Sequence, residues 1–112
     1  MITPQQRKLL EDMRVAADDI IIFTRGKALA NYLADKQLRY SVERAFEIIG
    51  EALTQLAKID TSLVQQITDY RKIVSFRNVL IHGYSTVNPS MTWDIVERKL
   101  PVLRTELDSL LS

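Results

Sequence analysis

The chain has 112 residues, about one domain, with 46% hydrophobic and 26% charged residues, the balance of an ordinary soluble protein. It has no cysteine and one histidine, which excludes a disulfide framework and a thiolate nucleophile and argues against a zinc site of the usual nitrogen and sulfur kind. A formal net charge of +1 is too small to argue for nucleic acid by itself.

Read in chain order, the sequence is helical throughout, and no segment alternates apolar and polar residues as a half-buried strand would. Thr3, Pro4 and Gln6 together signal a helix start: a capping hydroxyl, a proline in the first turn and a Gln at the capping-box position. The helix continues through Leu9, Met13, Ala16, Ile20 and Phe23, an apolar stripe at three-four spacing, and should end before Gly26. KALANYLAD is a short helical or irregular connector. A long helix is expected over 36–58, with Leu38, Val42, Ala45, Ile49, Leu53 and Leu56 on one stripe. Asp60 or Thr61 caps the next segment, which runs through Ile67, Ile73, Phe76 and Leu80 to Gly83. STVNPS is a loop, and Asn88 followed by Pro89 starts the last helix, which holds Trp93, Val96, Leu100, Leu103, Leu107 and Leu110. Pro101 inside it predicts a kink or a break. Four long helices with short connections argue for an antiparallel bundle of four to five helices, one domain over 1–112.

Two features bear on self-association. Ile20, Ile21, Ile22 and Phe23 form an apolar run wider than one stripe. Gly50 interrupts FEIIGEAL, where it costs about 1 kcal/mol relative to alanine. Such a glycine permits a close helix approach, either inside the bundle or across a dimer.

The N-terminal MITPQQRKLL lacks the apolar run of a signal peptide, and no stretch approaches the ~20 apolar residues that cross a bilayer. A cytoplasmic protein with no membrane partner is therefore expected.

The stretch FRNVLIHGYS concentrates the chemistry. It holds the single histidine, His82, with Arg77 and Asn78 before it and Tyr84 after it. From Asp69 to Tyr84, Arg71, Lys72 and Arg77 stand against Asp69 alone, so the run is locally basic. Asn78 and His82, four apart, share a helix face. Arg77 and His82, five apart, lie roughly 140° around a regular helix. They meet over one site only if the arginine reaches round, the helix distorts before Gly83, or a second subunit completes the site. A histidine exchanges a proton near neutral pH, and an arginine fork matches phosphate oxygens. Together such groups can cleave RNA without metal. One takes the proton of a 2′-OH, that oxygen attacks the neighbouring phosphorus, and the cation stabilises the charge that grows on the phosphoryl oxygens. The leaving 5′-oxygen needs an acid, and a homodimer would supply a second His82. Equally, a histidine at this position could simply cap the carbonyls at its helix C-terminus.

RNVLIHGY resembles the R-x4-H-x-Y signature of the HepT-like toxins, a branch of the HEPN superfamily. ERAFEIIGEAL before it and TWDIVERKLPVL after it are similar too, so the resemblance covers most of the chain. It implies an all-α, HEPN-like fold and a homodimer whose two motifs share a cleft. It also implies a metal-independent endoribonuclease, the toxin of a type VII toxin–antitoxin system, needing no cofactor. Carried over, Arg77 and His82 are catalytic, Asn78 supports them, and Tyr84 accepts AMP from an MntA-like nucleotidyltransferase antitoxin. Adding phosphate-linked nucleotides beside the cleft would repel or block RNA. The alternative is a non-catalytic nucleotide-binding or scaffolding partner of that nucleotidyltransferase. Glu43, Arg44, Glu47 and Glu51 stand near enough in type to line a cleft, but helix-surface charges are usually only solvated.

Overall fold

The first helix, α1 (Pro4–Thr24), begins where the sequence signals it. In the computed structural model, which describes residues 1–112, the Gln6 amide donates to the Thr3 hydroxyl at 3.1 Å and the Thr3 amide donates to the Gln6 side-chain carbonyl at 2.9 Å. Two amides that have no partner inside the helix are thereby satisfied. The connector forms a short helix, α2 (Leu29–Ala34), which buries Tyr32 against Trp93 with ring centroids 5.2 Å apart. Asp35 caps the long α3 (Lys36–Ile59) by accepting the Leu38 amide at 3.0 Å. Every residue of its expected stripe, Leu38 through Leu56, is buried.

The fold is all-α, as expected, but it holds seven α-helices where four to five were expected, because two of the long ones are broken. The segment from Asp60 to Gly83 is a four-residue α4 (Thr61–Val64), a turn, and then α5 (Tyr70–His82). The break falls at Asp69, whose φ of 58° is left-handed, a conformation that Asp tolerates better than most residues. Tertiary bonds hold the turn there. The Thr68 amide and hydroxyl both donate to Glu106, at 3.0 and 2.6 Å, and Lys99 reaches Asp69 at 3.4 Å. The last helix divides at Lys99 into α6 (Pro89–Arg98) and α7 (Leu100–Leu111). Pro101 lies in the first turn of α7, where its missing N–H costs least. Asn88 caps α6 through the Ser90 amide at 2.9 Å. The expected stripe is buried on both sides of the division, from Trp93 and Val96 through Leu100, Leu103 and Leu107, and it ends on Leu111, with Leu110 only partly buried.

The core is one cluster in which α3 packs against both α1 and α5, and α7 packs against α1. Leu10, Met13, Ile20, Val42, Ile49, Leu53, Leu56 and Leu107 are wholly enclosed in it. The apolar run in α1 ends at the surface, with Ile20 buried and Ile22 exposed. Helix α5 packs chiefly on α3, and Leu80 is its one buried residue. Its other flank borders an open, mostly apolar cavity of about 660 Å³ shared with α6 and α7. No helix is long and apolar enough to cross a membrane.

Candidate active site

Two contacts seat α5 on α3. Phe76 meets Phe46 edge-on, with ring centroids 5.5 Å apart. One turn along α3, Gly50 leaves room for the stem of Arg77. A Cβ at position 50 would stand 2.3 Å from the Arg77 Cβ and 2.6 Å from its Cγ. The glycine therefore serves a close approach within the chain, and the residue it admits is the arginine of the motif.

That approach fixes the guanidinium. Arg77 Nη2 donates to Glu51 Oε2 at 2.5 Å, and Nη1 donates to Asn78 Oδ1 at 3.0 Å. The Arg77 side chain is 22% exposed, and its Nε is buried without a partner. Both terminal nitrogens are thus aimed by side chains, one of them anionic, at the surface of the α3–α5 seam. Asn78, the next residue along α5, thus contacts the Arg77 guanidinium directly.

His82 is the last residue of α5, and the Gly83 amide closes the helix on the Val79 carbonyl at 2.9 Å. The imidazole is exposed and takes no part in the bonds that organise Arg77, Asn78 and Tyr84. Because α5 stays helical through His82, the roughly 140° between Arg77 and His82 is kept. One chain presents the two groups on one helix without closing them over a common point.

After Gly83 the chain makes a single 3-10 turn, Tyr84–Thr86, held by the Thr86 hydroxyl on the Gly83 carbonyl at 2.7 Å. The turn carries Tyr84 back over α3, where its hydroxyl donates to Glu43 Oε1 at 2.9 Å. Tyr84 remains 42% exposed, whereas Glu43 is 6% exposed. Burial raises the Glu43 carboxyl above its ordinary value, and the Tyr84 and Arg39 side chains only partly offset that. Desolvation, together with the carboxylate that accepts its proton, pushes the Tyr84 phenol up to about 12.

Glu43 and Glu51, which the sequence offers either as cleft-lining residues or as solvated surface, are bonded to Tyr84 and Arg77 and so adjoin the motif. Their spacing held a usable signal. Glu43, Glu47 and Glu51 recur every fourth residue and so line one face of α3. They also change the electrostatics, since the basic run around His82 is met by a row of glutamates on α3. The local basic character has a further offset at Asp69, which lies 4.0 Å from Lys72 and 3.4 Å from Lys99. No group of three His, Cys, Asp or Glu side chains gathers in a way that could hold a metal ion.

The model of a family described as ribonuclease HepT-like matches residues 13–110 of the chain. Among curated proteins, one named probable ribonuclease HepT, from Thermococcus cleftensis, is 34% identical over 101 residues, 90% of this chain and 91% of that one. A Methanocaldococcus jannaschii protein named as a putative RNase is 30% identical over 102 residues, 91% of this chain and 93% of that one. Another of that name, from Caldanaerobacter subterraneus, is 28% identical over 111 residues, 99% of this chain and 96% of that one. No solved structure shows a significant match. An all-α chain with this motif on α5, matched by the family model over nearly its whole length, belongs to the ribonuclease HepT-like family.

Proposed function

We propose that this chain is the toxin of a type VII toxin–antitoxin system, a metal-independent endoribonuclease that works as a homodimer. Arg77 is the cation that stabilises charge on the phosphoryl oxygens, and His82 moves the protons. Asn78 orients Arg77. An MntA-like nucleotidyltransferase switches the enzyme off by attaching AMP to Tyr84.

The observation that carries the reading is the pairing of an oriented guanidinium with an exposed imidazole on one helix end. The guanidinium is held by Asn78 and Glu51, so it loses little freedom when a phosphate arrives. The angle between Arg77 and His82 supports a second copy, whose own His82 would supply the acid that one chain lacks. Exposed Ile48, Val79 and Ile81 lie on the same two helices and offer apolar surface for that contact. Tyr84, two residues from His82 and 42% exposed, is open to a modifying enzyme.

One observation favours the alternative of a non-catalytic partner for a nucleotidyltransferase. Glu51 already occupies part of the Arg77 guanidinium, which substrate would have to share or displace. Incubating the purified protein with RNA in EDTA separates the two. Cleavage by the wild type, lost in both Arg77→Ala and His82→Ala while helicity is nearly intact, is the expected result. No cleavage by an intact homodimer, or loss of the circular-dichroism signal in both variants, would overturn the catalytic roles.

A further inference from the structure

Glu43 is an unusual acceptor for Tyr84. It is a carboxylate 6% exposed that forms no ion pair and has one side-chain hydrogen bond, the one from the phenol at 2.9 Å. Enclosing a charge with a single neutral partner is expensive. A backbone carbonyl or a glutamine would tie the turn down at lower cost. The position asks instead what a carboxylate does for this hydroxyl. Tyr84 is 42% exposed, so an electrophile can reach its oxygen from solvent, while Glu43 holds the proton side of that oxygen from within α3. The remaining charged and titratable neighbours are poorly placed for the task. Arg39 is a cation, Glu47 is drawn to Arg44 at 3.4 Å, and Tyr32 and Tyr40 are phenols themselves.

Resting on the reading above that Tyr84 accepts a nucleotide, we propose that Glu43 is the general base of that transfer, a catalytic residue that the toxin itself contributes to its own inactivation. The phenol oxygen of Tyr84 forms a bond to the α-phosphorus of ATP held by the nucleotidyltransferase. The bond from that phosphorus to the bridging oxygen breaks, and pyrophosphate leaves with the electron pair. The phenol proton passes to Glu43 Oε1, which later releases it to solvent. Both pKa directions suit this division of labour. A phenol pushed up to about 12 is almost wholly protonated at neutral pH and needs a base, and a carboxyl raised by burial is a stronger base than an exposed one.

The test follows AMP addition by intact-mass spectrometry under single turnover, with the cognate nucleotidyltransferase and ATP, for wild type, Glu43→Gln, Glu43→Asp and Tyr84→Phe. Gln keeps a carbonyl that accepts the phenol hydrogen bond but cannot take the proton. The Gln variant should fold and be slowed by about 10²-fold or more at pH 7. Its deficit should narrow as pH rises toward the range in which the phenol ionises unaided. Asp restores a carboxylate and should recover at least part of the rate. A Gln variant within threefold of wild type at pH 7, with wild type modified normally, overturns the base role and leaves Tyr84 as the acceptor. The wild-type pH profile is an independent arm that holds even if the Gln variant does not fold. Its rate should climb through a carboxylate ionisation, and a rate that climbs only as phenols ionise overturns the proposal. If wild type gains no AMP, or Tyr84→Phe gains it equally, the acceptor reading itself fails and the proposal falls with it.

Discussion

Gly50→Ala places the tightest contact in the site under a single methyl group. Two effects oppose each other. Alanine is favoured over glycine inside a helix by about 1 kcal/mol, and nothing in the backbone of α3 forbids it. Against this, the new Cβ would stand 2.3 Å from Arg77 Cβ and 2.6 Å from Arg77 Cγ. An ordinary carbon–carbon contact is about 3.5–4.0 Å. The obstructing atom is a Cβ fixed to the α5 backbone, not the free end of a side chain, so α3 and α5 must part by about 1 Å. Overpacking of this kind costs about 1–3 kcal/mol. The clash therefore wins, by about 1 kcal/mol, and Tm should fall by roughly 4–8 °C. Function should suffer more than stability. A guanidinium displaced by about 1 Å from Glu51 and Asn78 can cost about 10²-fold in rate. Thermal denaturation by circular dichroism and a cleavage assay on the same preparation give both quantities. A variant that melts higher, by the amount propensity alone provides, and cleaves at the wild-type rate would refute the packing argument.

Other expectations follow from the same seam. Glu43 has a raised folded value, so its contribution is fully present below the ordinary carboxylate range and is lost as pH rises through that raised value. The difference in Tm between Glu43→Gln and wild type should therefore move in favour of the Gln variant from pH 4 to pH 7; a constant or opposite trend contradicts the burial penalty. Light scattering should give the mass of a homodimer at micromolar concentration, and a monomer mass throughout that range would remove the second His82. Tyr84→Phe deletes the one hydrogen bond to Glu43 and should cost about 1–3 kcal/mol. It should still dimerise, retain at least part of the cleavage and resist the nucleotidyltransferase; inactivation equal to that of wild type would move the switch elsewhere.

What sequence reasoning could reach depended on how far apart the interacting residues lie. Thr3 with Gln6 and Asn88 with Ser90 are local pairs, and both helix starts were legible. The stripe on α3 was legible because one periodicity governs it. Gly50 announced a close approach but not its partner, since Arg77 is brought there by the packing of α5 on α3. Glu51 and Glu43 reach Arg77 and Tyr84 across 26 and 41 residues, and nothing local marks those pairings. The break at Asp69 was hidden for the same reason, because Glu106 on α7 stabilises the turn before it. In the site, residue types and their order were legible, and so was the row of glutamates on α3, whereas the motif residues that row would meet were not.

In the proposed mechanism, Arg77 and His82 cleave RNA by directing a 2′-OH at its neighbouring phosphorus. The most direct measurement uses two oligonucleotides of one sequence, incubated with wild-type protein in EDTA, one all-RNA and one with a single 2′-deoxynucleotide at the scissile position. The all-RNA strand should be cut and leave a cyclic phosphate, and the deoxy-substituted strand should stay whole at that position. Cleavage of the deoxy-substituted strand there, or activity that appears only when Mg²⁺ is restored, would contradict the mechanism.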